Sequence, residues 1–187
     1  LADASVAEDN TYTLELSGTD VDEDALTFQA SVDANGSASV DGNTLSVTPA
    51  ANFNGDIIVN VLANDGIASG SGSFTLTVTP VNDAPVISSL PSQTIEEDSS
   101  LTVDLSANDI DSETLTFSAQ SSENLNISVD GSTLTVAPAA DYNGADIITV
   151  SVSDGELSDS TAFTLTVTPV NDAPVLDDLA NASIDED

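Results

Sequence analysis

The chain has 187 residues, of which 33 are Asp or Glu and none is Lys, Arg or His, so its formal charge is −33. The N-terminal amine is the sole counter-charge; side-chain salt bridges are excluded, and DNA, RNA and anionic lipid are poor partners because phosphate contacts need Lys and Arg. Cysteine is absent, which removes disulfides and thiolate metal sites, and no apolar run approaches a membrane span, which argues against membrane insertion.

Taken in chain order, the predicted elements repeat. A first acidic pair, Glu8-Asp9, precedes Asp20-Val21-Asp22 and then the alternating Leu26-Thr27-Phe28. Turn residues follow at Asp41-Gly42, Asn54-Gly55 and Asp65-Gly66, and the run closes on Phe74-Thr75-Leu76-Thr77-Val78-Thr79-Pro80. Val81-Asn82-Asp83-Ala84-Pro85-Val86 then recurs as Val170-Asn171-Asp172-Ala173-Pro174-Val175, an offset of 89 residues. The same offset carries every other feature without a gap. Ile95-Glu96-Glu97-Asp98 leads into Leu101, Val103 and Leu105, then Asp109-Ile110-Asp111, then Leu115 and Phe117. Asp130-Gly131, Leu134 and Val136, Asn143-Gly144, Ile148, Val150 and Val152, Asp154-Gly155, and Phe163, Leu165 and Val167 complete the second copy. Ile184-Asp185-Glu186-Asp187 repeats Ile95–Asp98 and opens a third.

Low hydrophobicity with high charge is a signature of disorder, but here the apolar share is 40% and alternates with a period of two. Short alternating runs bounded by turns, with no helical segment, predict an all-β fold: two tandem Greek-key immunoglobulin-like sandwiches of about seven strands each. The expected boundaries are 1–83, 84–172 and the start of a third repeat over 173–187. The short Thr79–Pro85 connection has no Gly/Ser-rich linker, so the two sandwiches are expected end to end. Residue 1 falls inside a repeat and no signal peptide is visible, which leads us to expect an excerpt whose targeting is not legible.

Without His, Cys or Lys, a general base would have to be a carboxylate. Acidic clusters that recur in both copies are unlike an active site, so no enzyme is expected. Two carboxylates about 4 Å apart near a surface repel by roughly 4 kcal/mol. Wherever the fold gathers several, the place must be wet, strongly screened or occupied by a cation; a saline or marine habitat would supply screening. Calcium takes six to eight oxygen ligands, and four acidic stations recur. They are Glu8 and Glu97; Asp20 with Asp22 and Asp109 with Asp111; Asp65 and Asp154; and Asn82-Asp83 and Asn171-Asp172. Junction residues sit at a sandwich pole by construction. The two carboxylates of each D-x-D pair can converge on one ion. Each station has a plainer reading: Asp65 and Asp154 as turn formers, Glu8 and Glu97 as solvated strand ends. Asp41-Gly42 and Asp130-Gly131 read as hairpin turns, and Phe53 and Tyr142 as core plugs at a loop corner. Asn126-Ile127-Ser128 and Asn181-Ala182-Ser183 match the glycosylation sequon.

The early Glu, the D-x-D before a strand, the Asp-Gly after one and the closing Leu76-Thr77-Val78-Thr79-Pro80-Val81-Asn82-Asp83-Ala84-Pro85 together resemble the cadherin repeat, especially its tandem bacterial relatives. The resemblance implies calcium held between successive domains by these positions, stiffening an array. It implies spacer repeats of a large secreted or cell-surface bacterial adhesin that acts in attachment and biofilm, with neighbouring repeats of the same chain as partners. The connection is one residue shorter than the animal pattern, and Pro49-Ala50-Ala51-Asn52 and Pro138-Ala139-Ala140-Asp141 stand near the place of the family's L-D-R-E motif. Fewer ions than the usual three are therefore expected. Two alternatives stay open: a polysaccharide-binding module, disfavoured by the lack of Trp and the presence of just Tyr12 and Tyr142, and homophilic calcium-dependent adhesion between like chains.

Overall fold

The structure is a computed structural model that describes residues 1–174 and Leu176. The expected opening of a third repeat, including Ile184–Asp187 and Asn181-Ala182-Ser183, lies outside the described residues. The chain divides into two compact units, Leu1–Asp83 and Ala84–Asp187.

The first unit contains β1 (Ala4–Ala7), β2 (Tyr12–Glu15), β3 (Thr27–Val32), β4 (Gly36–Asp41), β5 (Thr44–Pro49), β6 (Gly55–Asn64) and β7 (Ser69–Thr79). They form two sheets, ordered β1-β7-β6-β3 and β2-β5-β4. All pairs are antiparallel except β1 with β7, which run parallel from Ala4↔Leu76 to Ala7↔Thr79. Alternation decides which face of each strand is buried. Leu45 and Val47 of β5, Ile57 and Val59 of β6, and Leu76 of β7 are fully buried between the sheets. Intervening Ser and Thr positions face outward.

The second unit repeats this plan with β8 (Val86–Ile87), β9 (Gln93–Glu96), β10 (Leu101–Asp104), β11 (Ala107–Asn108), β12 (Thr116–Gln120), β13 (Leu125–Asp130), β14 (Thr133–Pro138), β15 (Gly144–Ser153) and β16 (Ser158–Thr168). The sheets are β12-β15-β16-β9 and β10-β14-β13, with β9 parallel to β16. Leu134, Val136, Ile148, Val150, Val152 and Leu165 are the fully buried counterparts. The strand number exceeds the expected seven here because β8 and β11 form an extra two-stranded ladder. Two-residue segments carry too little alternation to be seen in a sequence.

The hairpins turn one residue later than the Asp-Gly reading suggests. Asp41 pairs with Thr44, so Gly42 and Asn43 make the loop. Gly42 takes φ +59 and Gly131 φ +58, conformations that a two-residue hairpin reserves for residues without a Cβ penalty. Phe53 and Tyr142 pack against the cores as expected. No helix among the described residues is long and apolar enough to cross a membrane.

Candidate metal centre

Each sandwich separates its predicted ligands between two poles. At the pole where β3 begins and β6 ends, Thr27 faces Asn64, so the loop with Asp20 and Asp22 meets the turn with Asp65. Asp20 and Asp65 line one open cavity of about 260 Å³. In the second sandwich Thr116 faces Ser153 in the same way, bringing Asp109, Asp111 and Asp154 to the corresponding pole. The turn-forming reading holds for part of each carboxylate. Asp65 Oδ1 accepts from the N–H groups of Ile67 at 2.7 Å and Ala68 at 2.6 Å. Asp154 Oδ1 accepts from Glu156 and Leu157, both at 2.7 Å. The Ala68 and Ile67 amides hold the Asp65 carboxyl below its ordinary 3.8, burial opposing them. Asp20 Oδ1 accepts from Asp22 N at 2.8 Å, and Asp109 Oδ1 from Asp111 N at 2.8 Å and Ser112 N at 2.7 Å. Thus one oxygen of each of these four carboxylates shapes its own loop. Asp109 Oδ2 is buried with no hydrogen-bond partner.

The opposite pole is where the chain leaves the last strand. Glu8 follows β1, and its amide extends the parallel ladder by donating to Thr79 O at 2.9 Å; Glu97 does the same with Thr168 O at 2.9 Å. Neither is a solvated strand end: Glu8 is 1% exposed and Glu97 5%. Glu8 Oε1 accepts from Val81 N, and Glu97 Oε1 from Val170 N, each at 2.6 Å. Pro80 and Pro169 have no N–H, so Val81 and Val170 carry the next donor, and the glutamate captures it. Glu8 Oε2 is buried without a hydrogen-bond partner, whereas Asn143 Nδ2 donates to Glu97 Oε2 at 3.4 Å. Asn82 and Asn171 turn their amide nitrogens onto the carbonyls of Asp83 and Asp172, at 3.3 and 3.1 Å.

At this pole of the second sandwich, carboxylate oxygens of Asp98, Asp141 and Asp172 lie within 4.8 Å of one another. Asp172 was among the predicted ligands; Asp98 and Asp141 were not. Asp98 has φ +60 and Asp141 φ +58, left-handed conformations that Asp tolerates better than most residues. Each sits at a tight corner, after β9 and before β15. The first sandwich has Asp9 and Asn52 at the same places, with φ +59 and +55. There Asp9 Oδ1 accepts from Asn52 N at 3.1 Å, tying the two corners together. Helical or strand periodicity gives no hint of such a cluster. The signal available was the offset itself, which puts Asp or Asn at both corners in both copies.

The donor set fits calcium. It is all oxygen, rich in carboxylate and free of nitrogen or sulfur ligands, as a hard cation prefers. Buried Glu8 Oε2 and Asp109 Oδ2, lacking hydrogen bonds, would be satisfied by such an ion.

Two seven-to-nine-stranded sandwiches with acidic poles define a tandem immunoglobulin-like β protein. More narrowly, the chain belongs to the bacterial Ig domain family (Big_9), which matches residues 2–79 and 82–168. No curated protein sequence matches the chain. Among solved structures, human protocadherin-24 EC1-2 is similar at 14% identity, with 90% of this chain and 95% of that one covered and a TM-score of 0.57. Drosophila N-cadherin EC1-3 is similar at 14% identity over 81% of this chain and 57% of that one, TM-score 0.42. An endo-fucoidan hydrolase from glycoside hydrolase family 107 shares 20% identity over 91% of this chain at TM-score 0.38; the chain spans 28% of that protein's length. At these identities the cadherin likeness concerns the fold.

Proposed function

We propose that the chain is a non-enzymatic pair of extender repeats, 1–83 and 84–172 with a third beginning at 173. They are stiffened by calcium within a large secreted or cell-surface bacterial adhesin whose binding region they project. The observation that carries this reading is the Asp98, Asp141 and Asp172 cluster. Three carboxylates within 4.8 Å, in a chain with no Lys, Arg or His, have only a bound cation to offset their repulsion. The ligands proposed at a junction are Glu8, Asn82 and Asp83 from one repeat, with Asp109, Asp111 and Asp154 from the next. The set recurs with Glu97, Asn171 and Asp172, and Asp20, Asp22 and Asp65 stand ready at the first repeat's other pole. Asp98 and Asp141 join them. Ions shared by two repeats would abolish the hinge between them. Extracellular modules bind calcium with dissociation constants of roughly 0.1–1 mM. Calcium at about a hundred times that constant stabilises the bound form by roughly 2.7 kcal/mol.

Calorimetric titration tests the reading. Calcium binding is expected in the wild-type chain. It is expected to weaken in Asp98→Ala/Asp141→Ala and in Asp109→Ala/Asp111→Ala, while circular dichroism shows both variants folded. Unchanged binding in both double variants would remove the ligand assignment.

A further inference from the structure

The two sandwiches differ at one edge. In the second, β8 lies against β11, with Ile87 opposite Ala107 and Val86 opposite Asn108. Ser88 N donates to Ser106 O at 2.9 Å, and Ile87 N to Asp159 Oδ2 at 3.0 Å. The Ile87 side chain enters the core and is 8% exposed. In the first sandwich no residue of this chain is in register with β8, because the 89-residue offset would place it before Leu1. Gly18 and Thr19, the counterparts of β11, belong to no strand. An open cavity of about 250 Å³ stands there, lined by Leu16, Phe28, Val61, Gly70 and Gly72. Their counterparts are Leu105, Phe117, Val150, Asp159 and Thr161. The cavity is therefore the seat that β8 fills in the second sandwich.

The chain also holds a second copy of the occupant. Pro174-Val175-Leu176 repeats Pro85-Val86-Ile87, and Leu176 is 84% exposed. An apolar side chain left in water and an apolar seat of matching register are complementary. We propose that the first sandwich is an acceptor for a donor strand from a second copy of this chain, the segment from Pro174 to Leu179. Leu176 would fill the seat that Ile87 fills internally, and the backbone on either side would add a short strand along Ser17–Thr19. Every copy carries one donor and one acceptor, so the contact is head-to-tail and propagates from copy to copy unless it closes into a ring. One element of the internal joint is missing: Gly70 replaces Asp159, the acceptor for Ile87 N–H. A Cβ on Gly70 meets nothing within 4 Å, so Gly70→Asp would restore that acceptor without a clash.

Sedimentation of the full chain, at concentrations reaching the millimolar, reads this directly. Chelator keeps the outcome separate from calcium binding, and added salt screens the charge. Mass is expected to rise with concentration. Leu176→Asp, at an exposed position, is expected to weaken association about tenfold or more. Gly70→Asp is expected to strengthen it, and a copy of Ala84–Ser89 fused ahead of Leu1 to abolish it by filling the seat within the same molecule. A wild-type chain that stays monomeric throughout, or association that Leu176→Asp leaves unchanged, would overturn the proposal.

Discussion

Glu8 and Glu97 each do two things with one carboxylate. One oxygen captures the amide that follows a proline; the charge stays buried with no basic side chain in the protein to balance it. Glu8→Ala orphans the Val81 N–H and is expected to cost about 1–3 kcal/mol in chemical denaturation. Glu8→Gln keeps an acceptor and removes the charge. In chelator it is expected to melt no lower than the wild type, yet in calcium to gain less stability; equal calcium-induced gains would show that Glu8 does not serve the ion. Asp65 offers a test in pH. Its folded carboxyl titrates below the ordinary 3.8 because two amides stabilise the charged form. Its contribution is thus fully present above the ordinary value and lost as pH falls through the lower folded value. The melting difference between wild type and Asp65→Ala is expected to be constant above about pH 5 and to shrink below about pH 4. A difference that grows on acidification would contradict the turn geometry. The role of Asp65 was visible in the sequence as a turn, whereas the burial of Glu8 was not. A glutamate at a strand end reads as solvated until the parallel ladder beside it and the proline beyond it are seen together.

At the scale of strands and corners, alternation made most of the fold legible. Leu134 and Val136, or Phe163, Leu165 and Val167, can be buried only on one face of a strand, and all five are buried. The β8–β11 ladder escaped because each strand has two residues, below the length at which a period can be recognised. The acidic corner at Asp98 and Asp141 escaped for a different reason: its residues come from separate turns, and their meeting depends on sheet order. A further consequence concerns Gly144, at φ +151, where a Cβ would stand 3.1 Å from the Tyr142 hydroxyl. Gly144→Ala must displace that ring from its corner beside Asp141. It is expected to lower stability by about 1–3 kcal/mol and also to weaken calcium binding, read by melting and calorimetry on the same sample. Gly131→Ala supplies the contrast, since a Cβ there meets nothing within 4 Å. It is expected to cost about 1–2 kcal/mol from φ alone and to leave calcium binding unchanged.

For the molecule as a whole, a charge of −33 without a single basic side chain means that repulsion is relieved by ions and water alone. Under the extender reading, small-angle scattering is expected to give a narrower distribution of inter-repeat distances in millimolar calcium than in chelator. Sodium at matched ionic strength is expected not to reproduce the effect, because screening lowers repulsion everywhere but ties no ligands together. Identical profiles with and without calcium would leave a spacer without a calcium-controlled joint. The repeat, its length and its acidic stations were all readable from the 89-residue offset. Which carboxylates meet was readable only in part, since an offset reports equivalence between copies and not proximity within one.

The parallel pairing of the first strand with the last has a mechanical meaning. Force applied at Ala4 and at Thr79 pulls β1 and β7 past each other along their length, so the ladder from Ala4↔Leu76 to Ala7↔Thr79 bears load in shear. Its bonds must fail together, where a hairpin pulled from its open end would unzip one pair at a time. The Glu8 amide on Thr79 O and the Glu8 carboxylate on Val81 N lengthen that clamp to the edge of the domain, and Glu97 repeats it in the second sandwich. A tether built of such units resists traction through a patch that is small, local and the same in both copies.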